Sequence, residues 1–345
     1  MMTVLDSPRT SPWAKVRNGW CQFWFEPQPA YPLGLVRIAF GILAVVWTFA
    51  LLPDLYELFG ANGVISQHPG FSYQWGVFDQ WPSDTALLTG WVVLLISSVA
   101  LTVGWHSRLA AIVVFVLIGS FVRRDPWVFN AGDGVVMIVS LVLALSSCGS
   151  ALSLDQWRRT GKFWTAQLRA PWPTRLLQIQ MTLIYLASVQ AKLAGKAWLE
   201  GSAVSYAWRS DSTFAQLSPP QWISTNAYLS NFVSWGTILL ELAIAILVWN
   251  RRLRPWVLLG GVVLHLGITV SLSVGFFSLA MFVLYAAFIP SDAIGRFPDV
   301  VRRRYESLRR MPRRSPSRPF VDHSDAEIKA AADGRASSED QGAHQ

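Results

Sequence analysis

The sequence predicts an all-α, polytopic integral membrane bundle of about eight transmembrane helices. Three observations predict it. Of 345 residues, 52% are hydrophobic and only 14% are charged, against about 25% charged in soluble domains. Several apolar runs approach the roughly 20 residues that a helix needs to cross a bilayer. The 18 tryptophans suit a chain that passes the headgroup layer many times, where indoles concentrate. The net charge of +8 does not point to nucleic acid. Most of the basic residues fall in short loops between apolar runs and in the C-terminal tail, the pattern of a cytoplasmic face against anionic lipid. Cys21 and Cys148 form no CxxC and no zinc spacing, so neither redox nor structural-metal motifs are indicated.

Residues 1–32 read as a cytoplasmic N-terminus. Thr10-Ser11-Pro12 is an N-cap followed by proline at a first helical position. Trp13, Val16, Trp20, Phe23 and Trp24 then recur at helical spacing opposite Lys15, Arg17 and Asn18, which predicts an amphipathic helix lying flat on the membrane surface. Nothing before Leu33 has the form of a signal-peptide core, so the first span is expected to remain in the mature protein.

Residues 33–290 hold the spans. The first is Leu33 to Leu52 and carries Arg37, expected to snorkel at the cytoplasmic edge. Pro53 to Asp84 contains no lysine or arginine and is placed outside. The second and third spans are Ala86–Val103 and Leu109–Val122, joined by an inner turn; Arg123 and Arg124 follow on the outside with Asp125 beside them. The fourth is Val135–Ser147, opened by Asn130-Ala131-Gly132-Asp133-Gly134, where Asp133 has the position of a helix cap or first-turn acid. The basic stretch Ser150–Pro173 belongs inside, with a turn or helix cap at Ser153-Leu154-Asp155.

The fifth span, Arg175–Ala191, delivers Lys192 to the outer side, and Leu193–Ser234 is a second outer loop with short helices expected in it. The sixth, Trp235–Trp249, carries Glu241; the seventh, Pro255–Ser271, carries His265; the eighth is Val274–Ile289. Residues 291–345 are basic, then rich in Ser, Ala and acids, and are expected to form a mostly disordered cytoplasmic tail. Both termini are therefore cytoplasmic in a multi-pass cell-membrane protein.

On this topology Lys192, Glu241, His265 and Asp133 all fall in the outer half of the bilayer, from four different helices. Intramembrane ionisable groups are expensive, and they tend to face the bundle interior or a wet cavity. Each has an ordinary reading: a snorkelling lysine, an acid paired with backbone, a satisfied core histidine, a helix cap. Together they suit proton abstraction in a partly dry site. A lysine acts as base only as the neutral amine, which calls for apolar or aromatic surroundings and a carboxylate kept away. Glu241 and Asp133 are accordingly expected to sit at some distance from Lys192 or to pair elsewhere.

The run AKLAGKAWLEGSAV resembles the lysine–Trp–Gly segment of the HTTM family, whose animal members are the vitamin K-dependent gamma-glutamyl carboxylases. LVRIAFGILAV, FNAGDGVVM with LALSSCGSALSLD, LLELAIAILVW with RRLRPW, and VVLHLGI with VGFFSLAM resemble further family segments, in order from Arg37 to Pro290. The resemblance implies a quinone or hydroquinone as cofactor and Lys192, matched through its Lys-Leu pair, as the base that deprotonates it. Lys196 is a second candidate, because the distance to Trp198 is one residue longer than in the family. Glu241 and His265 join Lys192 as expected catalytic groups; Trp198, Gly201 and Asp133 are the expected cofactor contacts. Two departures weigh against glutamate carboxylation: no histidine stands in Asn130–Gly134, and the large lumenal C-terminal domain is absent. A quinone-like lipid or other hydrophobic small molecule is the substrate class left. The rival reading is a non-catalytic membrane factor for export, maturation or immunity of a secreted peptide. A permease is disfavoured, because no inverted repeat with broken helices is present.

Overall fold

A computed structural model describes residues 11–64, 76–210 and 219–309; His68 of the first long loop lies outside them. In chain order the helices begin with α1 (Pro12–Phe25), α2 (Tyr31–Ala50), α3 (Leu55–Phe59), α4 (Val77–Gln80), α5 (Asp84–Val103) and α6 (Ser107–Arg124). They continue with α7 (Ala131–Leu145), α8 (Leu154–Thr160), α9 (Trp172–Ala194), α10 (Lys196–Leu199) and α11 (Ala203–Arg209). The last are α12 (Gln221–Ser224), α13 (Ala227–Leu247), α14 (Arg254–Ser271), α15 (Phe277–Ala286) and α16 (Ser291–Arg309). Two short strands, β1 (Gln28–Pro29) and β2 (Leu168–Arg169), pair antiparallel. The all-α class holds.

Every segment expected to span contains a helix. Four of them, α2, α5, α13 and α14, have the length and apolarity of a full crossing by themselves. The others fall short for separate reasons. α6 carries Arg108, Arg123 and Arg124, α7 has 15 residues, and α9 contains Arg175, Gln178 and Gln180. α15 has 10 residues, about 15 Å at 1.5 Å per residue, half of a roughly 30 Å hydrocarbon core.

The chain divides into two units, Met1–Phe297 and Pro298–Gln345. In the first, α2 packs on α5, α6 on α7, α9 on α13 and α13 on α14, while α15 touches α2, α7 and α9. Gly41 makes the α2–α5 approach possible, since a Cβ there would collide with Thr102. The Trp91 indole donates to the Thr48 carbonyl at 2.7 Å. Trp47 stacks on Phe129 with centroids 5.6 Å apart, and Phe59 and Phe121 meet edge to face beside them. Outward-facing Leu259, Val263, Leu266 and Val270 of α14 are exposed, an apolar surface suited to lipid.

Ser11 caps α1 by accepting from the Ala14 N–H, with Pro12 in the first turn, as the sequence indicates. Its Trp13, Val16 and Trp20 are exposed. α10, α11 and α12 are the short helices expected in the second long loop, but α13 begins at Ala227 rather than Trp235, with Asn226 as its cap. In the second unit α16 continues through Pro298 to Arg309. Residues 291–309, expected as the start of a disordered tail, are thus helical, and residues 310–345 lie outside the described residues.

Two arginines differ from expectation. Arg37 does not snorkel: it is fully buried, and its guanidinium donates to the carbonyls of Leu101, at 3.0 Å, and Leu152. The last carbonyls of a helix lack intrahelical partners, and Arg37 satisfies one at the end of α5 together with one at Leu152, whose φ is +51°. Gly104 (φ +76°) leaves the room, since a Cβ there would collide with Arg37. Arg124 is likewise buried rather than a loop charge, donating to the Phe59 carbonyl at 3.2 Å.

The turn at Ser153 is a helix cap, the Ser153 hydroxyl accepting from the Gln156 N–H at 2.9 Å. Asp155 then reaches the start of α6, accepting from His106 N–H at 2.9 Å, Ser107 N–H at 2.8 Å and the Ser107 hydroxyl at 2.7 Å. Burial alone would raise its carboxyl; the hydrogen bonds from Ser107 and His106 outweigh it and hold the group below the ordinary 3.8.

Candidate functional site

The site is built on three helices whose buried stripes face one another. On α9, Met181, Tyr185 and Val189 are buried at intervals of four, and Ser188 and Lys192 follow on the same side. On α13 the stripe Ser230, Ser234, Ile238, Glu241 carries the carboxylate inward. On α14 only Val257, Gly261 and His265 are buried, again four apart. Glu241 stands fourteen residues into α13, about 21 Å along its axis, deeper than a helix starting at Trp235 would place it.

Lys192 and Glu241 are in direct contact. The Lys192 Nζ lies 2.8 Å from Glu241 Oε2 and 3.0 Å from Oε1, and it donates to the Ser188 hydroxyl at 2.6 Å. The Trp198 ring covers the ammonium at 5.0 Å from its centroid, a cation–π placement. The side chains are 15% and 7% exposed. The expectation that the carboxylate keeps its distance is therefore not met. The two groups form a largely buried ion pair, completed by the Ser188 hydroxyl and the Trp198 ring.

The pair lines a cavity of about 460 Å³ together with Tyr185, Trp198, Trp208 and His265, the rest of the lining being mostly aliphatic. That volume lies in the range of small-molecule sites, which are apolar with a few placed polar groups. His265 is 98% buried, and its Nε2 is 2.9 Å from the Tyr185 hydroxyl, which also meets the hydroxyl of Tyr285. The Nδ1 of His265 is buried without a partner. Gly261 admits the Tyr285 hydroxyl, since a Cβ there would collide with it. Tyr185, Ser188 and Tyr285 were not singled out from sequence. The i, i+3, i+7 series Tyr185, Ser188, Lys192 was the available signal for the first two; nothing local marks Tyr285.

The other expected residues lie elsewhere. Asp133 closes a capping box on α7, its Oδ2 accepting from the Asn130 N–H at 2.8 Å, and its Oδ1 accepts from the Trp47 indole at 2.7 Å. It does not line the cavity. Gly201 (φ +71°) is a turn residue whose carbonyl accepts from the hydroxyls of Ser230, at 2.9 Å, and Ser234, at 3.3 Å. It anchors α10 and α11 to α13 and so positions Trp198 without touching the cavity. Lys196 points away, 88% exposed, with Glu200 at 3.7 Å.

Long apolar helices and ionisable groups gathered into the bundle interior define a helical integral membrane protein. The family model described as the HTTM domain matches residues 25–292, most of the chain, and this protein belongs to the HTTM family. Comparison with curated proteins and with solved structures gives no match.

Proposed function

We propose that the 460 Å³ cavity binds a lipophilic molecule with an oxygen-bearing ring head, of the quinone or hydroquinone class, and that Lys192 and Glu241 exchange a proton with it. The observation that carries this reading is the Lys192–Glu241 ion pair set in a mostly apolar, aromatic-capped cavity. A flat ring fits against Trp198, and the aliphatic lining suits a tail.

The roles follow from the contact. In the ion pair the Lys192 Nζ already donates to Glu241 and Ser188, while the Glu241 carboxylate keeps lone pairs for a second donor. Glu241 would therefore accept from a ring hydroxyl and could take its proton, and Lys192 would hold the negative charge that develops on the ring oxygen. A hydroquinone, when bound, supplies the acidic hydroxyl and two-electron chemistry. His265 and Tyr185 border the same cavity and offer a second polar contact. The resemblance of the AKLAGKAWLEGSAV run to the gamma-glutamyl carboxylases supports a quinol-handling site.

Organic extraction of the purified chain followed by mass spectrometry tests the reading. A ring-bearing redox lipid in the wild type, lost in Lys192→Met/Glu241→Leu, supports it. Equal lipid content in the two proteins overturns it, and a co-purifying peptide in place of the lipid favours the non-catalytic partner reading.

A further inference from the structure

A second cavity, of about 580 Å³, lies at the end of α9 remote from Lys192, where α2, α9 and α14 begin. Arg169, Arg175, Arg251 and Arg254 line it. The one acid on its wall, Asp292, sits 3.9 Å from Arg296 instead. Among the described residues no carboxylate pairs with any of the four arginines.

The helix starts add to this charge. α2, α9 and α14 each open with a proline, and each lacks both a side-chain cap and a first-turn acid. Their first-turn N–H groups have no intrahelical partners, and the positive ends of three macrodipoles converge on one space. Such ends bind anions.

The arginines are held with donors to spare. Arg175 donates to Gln178 at 3.0 Å and lies over the Phe23 ring at 4.8 Å, while its Nε is buried with no partner. Arg254 is fixed by the carbonyls of Val248, at 2.8 Å, and Phe288, at 3.1 Å, through Nε and Nη1, and among the described residues its Nη2 has no hydrogen-bond partner. Among the described residues the Arg251 side chain has no hydrogen-bond partner, and its charge acts on both Arg175 and Arg254. Guanidinium forks match phosphate oxygens two at a time. Phe23 belongs to α1, whose exposed Trp13, Val16 and Trp20 suit the depth at which lipid phosphates lie.

We propose that this cavity binds a phosphate group, supplied by the headgroup of an anionic phospholipid at the membrane surface. The chemistry is shared with free phosphate, and the test separates the two sources.

The full chain, delipidated in a neutral detergent, is titrated with phosphatidylglycerol, phosphatidylcholine or inorganic phosphate and followed by native mass spectrometry and thermal shift. Phosphatidylglycerol binds and stabilises, and phosphatidylcholine does neither. Arg251→Gln and Arg175→Gln each weaken the phosphatidylglycerol effect about fivefold. The first removes no hydrogen bond among the described residues, so the fold is expected to stay intact. Arg158→Gln, on an exposed side chain outside the cavity, changes nothing. Stabilisation by inorganic phosphate that Arg251→Gln weakens assigns the site to the free anion; phosphatidylglycerol binding without it assigns the site to the lipid. Equal binding of both lipids, or an Arg158→Gln loss as large as that of Arg251→Gln, overturns the proposal.

Discussion

Lys192 and Glu241, 49 residues apart in sequence, meet with Nζ 2.8 Å from Oε2 beneath the Trp198 ring. Removing one partner of a buried pair leaves an uncompensated charge and costs about 3–5 kcal/mol, whereas replacing both by apolar groups of similar size is often neutral. Glu241→Gln and Lys192→Ala should therefore each lower the melting temperature in detergent by several degrees. Lys192→Met/Glu241→Leu should return close to the wild type, and Lys196→Ala should change nothing. Single variants as stable as the double would mean that the pair is not formed.

Tyr185 bridges His265 and Tyr285 through one hydroxyl. Tyr185→Phe leaves two buried polar groups without it, at about 1–3 kcal/mol. Gly261→Ala drives a methyl into the Tyr285 hydroxyl and should destabilise as well. Thermal unfolding checks both; a Tyr185→Phe protein as stable as wild type would mean that the Tyr185 hydroxyl does not hold His265 and Tyr285 together.

Asp155 sets a pH dependence. Its carboxyl is held below the ordinary 3.8 by Ser107 and His106 against the effect of burial. A group lowered in the folded state contributes stability that is complete above its unfolded value and is lost as pH falls through the folded one. The stability difference between wild type and Asp155→Asn should stay constant from neutral pH down to about 4 and shrink below it. A difference that grows on acidification would contradict the cap.

Orientation can be read from a native residue. Cys21 is exposed on α1, while Cys148 is buried and its thiol is pushed up to about 11, by burial first. With the N-terminus cytoplasmic, a membrane-impermeant thiol reagent should leave intact cells unlabelled and mark Cys21 only after permeabilisation. Asn62→Cys in a Cys21→Ser background should label in intact cells. The opposite pattern would invert the topology.

Much of the fold was legible, because a crossing must satisfy its backbone within a helix and show apolar side chains to lipid; hydropathy alone therefore located the helices α2, α5 and α14. The candidate site was legible only in part. Charge placed Lys192, Glu241 and His265 on neighbouring helices, but helix rotation decides which side chains touch, and that is set by packing. The contact with Glu241 and the bridge from Tyr185 to His265, 80 residues apart, are long-range facts of this kind. Arg37 was misjudged for the same reason: its acceptors, the carbonyls of Leu101 and Leu152, are backbone groups that carry no sequence signal. Asp133 was the reverse case, since the Asn130–Asp133 spacing already contained the capping box.

In the proposed chemistry Glu241, rather than Lys192, takes the proton of the bound ring. Infrared difference spectroscopy on adding a reduced naphthoquinone anaerobically measures this on the side chain itself. Loss of a carboxylate band and gain of a protonated carboxyl band are expected in the wild type, with neither change in the apolar Lys192→Met/Glu241→Leu protein. Binding of the hydroquinone with the Glu241 carboxylate band unchanged would contradict it.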